Sequence, residues 1–238
     1  MLKYQLIAND IRDKIMQGIY QPDDQLPLTG QLETSYQASK MTIKRALDHL
    51  EAEGIIVKRR GCGTFVKGLN NAELNRLTQH SKNQLLGMTK IFGQKRVSNK
   101  IIAFEVIPAS TELANKLCIE SETFVYHIQR VRSLDAKPLT LEESFMPIAI
   151  IPNLRRNHAE KSIFAYITNV LGLKIKSAHR LVKVRLANET ECQQLKLTAS
   201  APVAITEDLY FLDNGTPFNF SITTHESDHF ALESVIVT

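Results

Sequence analysis

Apolar side chains recur at helical spacing near the N-terminus and at alternating, strand-like spacing from about residue 91 onward. Over 4–18, Ile7, Ile11 and Ile15 form one stripe that closes at Gly18, which predicts a first helix packed under the others. A short second helix follows the punctuation of Pro22 and Pro27, with Thr29 as its candidate cap and Leu32 and Tyr36 as its apolar contacts. From the cap Ser39 a third helix turns Ile43, Ala46, Leu47 and Leu50 toward a core and Lys40, Lys44, Arg45 and Asp48 toward solvent, and Gly54 ends it. Residues 55–60 and 63–67 then read as two strands around a turn at Gly61 and Cys62. Helix, helix, cationic helix and glycine-tipped hairpin, in that order, predict a winged helix-turn-helix over 1–68, its third helix suited to a DNA major groove.

Residues 69–87 are polar, rich in Asn and Gln, and read as a linker docked by Leu74, Leu77 and Leu85. The second domain, 88–238, should carry strands near 100–107, 122–134, 138–147, 174–186, 202–213, 216–225 and 233–237. Ser110 or Thr111 opens a helix through Leu117, Ser162 opens one ending at Gly172, and Asn188 opens one through Leu195. Hairpin turns at Asp135-Ala136-Lys137 and Asp213-Asn214-Gly215 make the sheet mainly antiparallel, so the fold class is α+β.

A formal charge of +4 over 238 residues is only mildly basic, so the nucleic-acid signal rests on local clustering. Lys40, Lys44, Arg45, Lys58, Arg59, Arg60 and Lys67 outnumber Asp48, Glu51 and Glu53 in the third helix and hairpin, which favours phosphate. Candidate DNA contacts are therefore Ser39, Lys40, Thr42, Lys44 and Arg45 on the helix, and Arg59, Arg60, Gly61, Gly63 and Thr64 on the wing. No apolar run approaches the roughly 20 residues of a membrane span and no secretory leader is evident, so a cytoplasmic protein without a membrane partner is expected. Cys62, Cys118 and Cys192 are scattered without metal-ligand spacing, against a disulfide framework; Cys62, at the wing tip, is the one to watch for oxidation.

In the strand over 122–134 the period of two puts Arg130 and Arg132 on one face, and in its partner it puts Thr140, Glu142 and Ser144 on one face. Two arginines so placed clamp an anion, which the electropositive helix start at Ser162 would also receive. The plainer alternative is a set of cross-strand ion pairs, each worth at most about 1 kcal/mol. His225, Glu226 and His229 fall at a strand end and suit a solvated turn better than a metal, while Glu142 and Glu143 point to opposite faces. No phosphate-binding glycine loop, nucleophile elbow or acid/base constellation is present, so neither a cofactor nor an enzyme is expected.

The segments YQLIANDIRDKIMQGIYQPDDQLP and SKMTIKRALDHLEAEGIIVKRRGCGTFV, within 2–67, resemble the DNA-binding domain of GntR-family bacterial transcription regulators. The segments RVRSLDAKPLTLEESFMP and LYFLDNGTPFNFS, within 85–238, resemble the UTRA effector domain of the HutC-type subfamily, which has a chorismate-lyase-like fold. The resemblance implies a homodimer on an inverted-repeat operator, usually a repressor, whose DNA affinity changes with a bound metabolite, often a sugar phosphate or carboxylate. It also implies that Arg130, Arg132, Glu142 and Ser162 occupy ligand-contacting positions. Departures are informative. Leu28, Thr29 and Gly30 stand where Ser-Glu-Arg is usual, and Lys40 and Lys44 where arginines are usual. Lysine lacks the bidentate fork that grips guanine, so a different operator is expected. Phe164 replaces a common tyrosine, and His225, Glu226, Ser227, Asp228, His229 and Phe230 replace a Tyr-Arg-Gly-Asp-Arg-Tyr run, which adds His225, Glu226 and Phe164 to the candidate effector site. The competing classes are an enzyme whose lyase-like domain gained a DNA-binding arm, and a degenerate domain that only dimerises.

Overall fold

The computed structural model describes residues 2–68 and 96–232; 2–68 belong to one compact unit and 96–231 to a second. In the first, helix α1 (Lys3–Met16) buries Ile7, Ala8, Ile11 and Ile15 against Leu32 of α2 (Thr29–Tyr36) and Ile43, Ala46, Leu47 and Leu50 of α3 (Lys40–Ala52). The expected cap of α3 is present: Ser39 Oγ accepts the Thr42 N–H at 3.3 Å. Gly54 ends the helix at φ +77°, the left-handed region that glycine enters without strain. Thr29, by contrast, is the first residue of α2 and not its cap; Leu28 holds that place, its N–H donating to Gln31 Oε1 at 2.8 Å.

The wing strands β1 (Ile56–Arg59) and β2 (Gly63–Val66) pair antiparallel, with Arg59 opposite Gly63. Its loop is therefore three residues, Arg60, Gly61 and Cys62, one longer than the expected turn, and Cys62 N–H closes it onto the Arg59 carbonyl at 2.9 Å. Backbone from the α1–α2 connection adds a third rung, the Leu26 N–H donating to the Thr64 carbonyl at 2.8 Å. A buried ion pair that periodicity does not reveal braces the unit: Arg12, 2 % exposed, donates through Nη2 to Glu53 Oε1 at 2.7 Å and through Nε to Oε2 at 3.0 Å.

The second unit is built on one antiparallel sheet of order β3-β4-β5-β8-β7-β6. Its strands are β3 (Val97–Pro108), β4 (Phe124–Leu134), β5 (Lys137–Pro147), β6 (Ile175–Leu186), β7 (Pro202–Leu212) and β8 (Pro217–Glu226). The β4–β5 turn is as tight as expected, Asp135 and Ala136 both at positive φ. One sheet face is covered by α4 (Thr111–Leu117), capped by Ser110, and by α7 (Glu189–Leu195), capped by Asn188. The other packs Tyr126, Ile128 and Met146 under α5 (Arg156–Lys161), the one-turn α6 (Ile163–Ala165) and a π-helical turn over Tyr166–Val170. Helix α5 was not expected, and the helix expected from Ser162 to Gly172 is this irregular α6–π segment. The expected linker over 69–87 and strand over 233–237 lie outside the described residues.

Candidate functional site

The outer face of α3 presents Lys40 and Lys44 to solvent, while Thr42 and Ser39 share a 2.9 Å contact between hydroxyls that fixes the helix start. Arg45 is exposed but aimed: its guanidinium lies 4.5 Å over the Tyr4 ring of α1. On the wing, Arg59 lies 4.5 Å over Phe65, and Arg60, Gly61 and Cys62 form the exposed tip. Thr64 is half-buried, its carbonyl committed to the third rung. Gly63 has φ +118°, and a Cβ there would fall 2.4 Å from Gln25 Nε2, whose amide donates to the Cys62 carbonyl at 2.7 Å. The sequence gives no sign of Gln25, because its role exists only once the wing folds back onto it.

Lys58 corrects the charge count made from sequence. Its ammonium is ion-paired to Asp48 and, at 2.6 Å, to Glu51, so it ties the wing to α3 instead of facing phosphate. Burial works against its charge, but the two carboxylates prevail and raise its pKa. Arg60, Arg59, Lys40, Lys44, Arg45 and Lys67 carry the cationic surface.

In the second unit, Glu142 of β5 stands opposite Arg130 of β4 and Thr223 of β8. Arg130 Nη2 donates to its Oε1 at 2.8 Å, Arg132 Nη1 to its Oε2 at 3.1 Å, and Ser144 Oγ to Oε1 at 3.0 Å. Burial alone would raise the Glu142 carboxyl; the two arginine charges outweigh it and hold the pKa at about 2. The same arginines reach the end of α5: Arg130 Nη1 donates to the Ala159 carbonyl at 2.9 Å. Arg132 Nε donates to Asn99 Oδ1 at 3.1 Å, while Asn99 Nδ2 donates to the Glu160 and Lys161 carbonyls. Ser162 follows directly, its Oγ accepting the Ala165 N–H at 3.2 Å and keeping its own hydrogen for another acceptor. So the cross-strand ion pairs of the plainer alternative are present, both arginines pairing with Glu142.

Phe164 packs edge-on to Tyr210, ring centroids 5.1 Å apart, and belongs to the apolar core beside the polar face. His225 lies on that face, opposite Thr140 and Ala204, its Nε2 3.2 Å from Thr206 Oγ1; burial first, then the charge of Arg180, lower its pKa to about 4. Glu226 does not join it. Strand alternation turns Glu226 to the opposite face, where its carboxylate meets Lys137 at 3.3 Å and His229 at 3.1 Å. Sequence reasoning also missed Asn99 and a bidentate pair farther along the face, Arg180 to Asp208 at 2.6 and 2.9 Å. Among the described residues no helix is long and apolar enough to cross a membrane.

A winged helix-turn-helix with a cationic outer face, in one chain with an antiparallel sheet holding an arginine-lined polar site, defines a ligand-responsive DNA-binding transcriptional regulator. Residues 3–66 match the family of bacterial regulatory proteins, gntR family, and residues 93–231 match the UTRA domain. The chain belongs to the GntR family, in its UTRA-bearing, HutC-type branch. It is 36% identical to the HTH-type transcriptional regulator GmuR of Bacillus subtilis (strain 168), over 99% of this chain and 98% of that one. It is 28% identical to the mannosyl-D-glycerate transport/metabolism system repressor MngR of Escherichia coli (strain K12), over 95% and 92%. The crystal structure of the possible transcriptional regulator YydK from Bacillus subtilis superposes with a TM-score of 0.73 at 31% identity, covering 99% of this chain and all of that one.

Proposed function

We propose that this regulator is a cytoplasmic repressor that binds an inverted-repeat operator as a homodimer and changes its DNA affinity when a small anionic metabolite, a sugar phosphate or carboxylate, occupies the second domain. The observation that carries the reading is the convergence of Arg130 and Arg132 on one buried carboxylate beside Ser162, on a face of small polar residues. Two buried guanidiniums on a hydrophobic domain's sheet are costly unless an anion repays their desolvation. Glu142 repays part of it and remains positioned to accept hydrogen bonds from ligand hydroxyls. A relative named as repressor of a mannosyl-D-glycerate system supports both the direction of control and a ligand that joins hydroxyls to a carboxylate. The domain bounds proposed are 1–68 for DNA, 69–87 as linker and 88–238 for the effector and dimer contacts. No chemistry is assigned to the site, and an effector should be recovered unchanged after incubation.

The test is a thermal-shift screen of phosphorylated sugars, amino sugars and small carboxylates, followed by operator binding with and without each hit. A specific effector at 100 times its Kd should stabilise the protein by about 2.7 kcal/mol. Arg130→Ala or Arg132→Ala should each cost roughly 2 kcal/mol of effector affinity, on the order of thirty-fold, with ligand-free DNA binding nearly unchanged. A double variant that keeps wild-type effector affinity and a wild-type DNA response would overturn the reading.

A further inference from the structure

One residue on the outer face of α3 does not fit the cationic pattern around it. Met41 is 72 % exposed, and it stands apart from the apolar cluster that its unit builds around Ile43, Leu47 and Leu50. Residues three and four apart share a helix face, so Met41 projects beside Lys44 and Arg45. With Leu2 and Tyr4 at the start of α1, these three residues line a cleft of about 440 Å³. Leu2 is itself 59 % exposed, so neither apolar side chain covers the other.

The first turn of a groove-entering helix is the part that meets base edges. In α3 that turn is Lys40, Met41 and Thr42. Thr42 shares its hydroxyl with the cap Ser39 at 2.9 Å, and Lys40 ends in a rotatable point charge. Lys44, one turn on, is a point charge too, while the Arg45 guanidinium lies 4.5 Å over the Tyr4 ring. Ammonium groups find phosphates on every sequence. An apolar side chain is more selective, because the C5-methyl of thymine is the one methyl group that the four bases present in the major groove.

We infer that Met41 is a specificity-determining residue of the operator contact, its thioether packing on the methyl group of a thymine in each half-site. This rests on α3 being the helix that enters the major groove. An unbranched thioether suits the task, since its three rotatable bonds let it settle against a methyl group without demanding one helix placement. Met41 lies about 4.5 Å along the helix axis from Lys44. That distance is between one and two base-pair steps of about 3.4 Å, so the thymine falls within about two base pairs of the base under Lys44. The contact contains no hydrogen bond, and removing the methyl group alone should therefore silence it.

The experiment uses duplexes that the full wild-type chain selects from a randomised pool, with each thymine replaced in turn by uracil. That exchange removes one methyl group and keeps every hydrogen-bonding group of the base pair. Titration by fluorescence anisotropy should find a thymine, at the same place in both half-sites, whose exchange weakens wild type by about fourfold per half-site, equivalent to about 0.8 kcal/mol for one buried carbon. Met41→Ala should bind the thymine and uracil forms within about 1.5-fold of each other, and Met41→Leu, which restores an apolar contact, should recover a preference above about twofold. A variant that merely disturbed the fold or the seating of α3 would weaken both forms alike and leave their ratio standing. The inference is overturned if no uracil exchange costs wild type more than about twofold, or if Met41→Ala keeps the wild-type ratio. Unchanged operator affinity in Lys44→Ala would instead sink the placement of α3 in the groove, whatever Met41 does.

Discussion

His225 is an imidazole that the fold keeps neutral, because burial and the nearby Arg180 lower its pKa from 6.5 to about 4. Stability gained by excluding that proton is fully present above pH 6.5 and is lost as pH falls from 6.5 through 4, since the unfolded chain takes up the proton first. Urea denaturation should therefore show wild type losing up to about 2–3 kcal/mol more than His225→Gln across that window; parallel pH profiles would refute the assignment. Glu142, lowered from 4.5 to about 2, acts in a separate window, contributing above pH 4.5 and losing its contribution between 4.5 and 2. Arg130 and Arg132 were legible as one face because strand alternation alone fixes it, whereas their meeting with Glu142 depends on the register of β4 against β5 and came only with the family resemblance. Asp208 and Arg180 were not, because their meaning depends on β6 and β7 lying in the same sheet beyond β8, an order that no local pattern encodes. Glu226 was misplaced for the converse reason: proximity to His225 in sequence is separation across a strand.

At the level of elements, the wing is the part most dependent on a single residue. Gly63→Ala would place a β-carbon against Gln25 and hold an alanine at φ +118°, a strain of order 1–3 kcal/mol. Operator affinity should fall about tenfold or more with helix content unchanged, and adding Gln25→Ala should restore part of it, since that relieves the contact but not the backbone. Full operator affinity in Gly63→Ala would show that the wing geometry does not matter to binding. Helices α1 and α3 and all six sheet strands were legible because their apolar spacing is regular and their ends carry Gly, Ser or Asn signals. Helix α5 escaped notice because it is six residues long and buries only Ala159; what holds its end is the side chains of Arg130 and Asn99, which come from distant strands.

For the whole molecule, a dimeric reader should leave two protected half-sites related by a twofold axis, and its log K should fall linearly with log salt. Arg60→Ala should shallow that slope by about one without changing which sequence is preferred. A footprint on one unpaired half-site, or a slope that Arg60→Ala leaves untouched, would count against this arrangement. The effector domain faces a different problem of discrimination, because every cell is full of small anions. Glu142 already lies between the two arginines, so a plain anion arriving there must compete with a tethered carboxylate that has lost almost no freedom to be where it is. If the effector's anion seats on these arginines as proposed, background phosphate would gain little by entering, and only a molecule with more to offer than its charge would clear the threshold. On the proposed anion reading the internal carboxylate would act as a noise filter, setting the regulator's silence in the absence of its signal before any question of how tightly the signal binds.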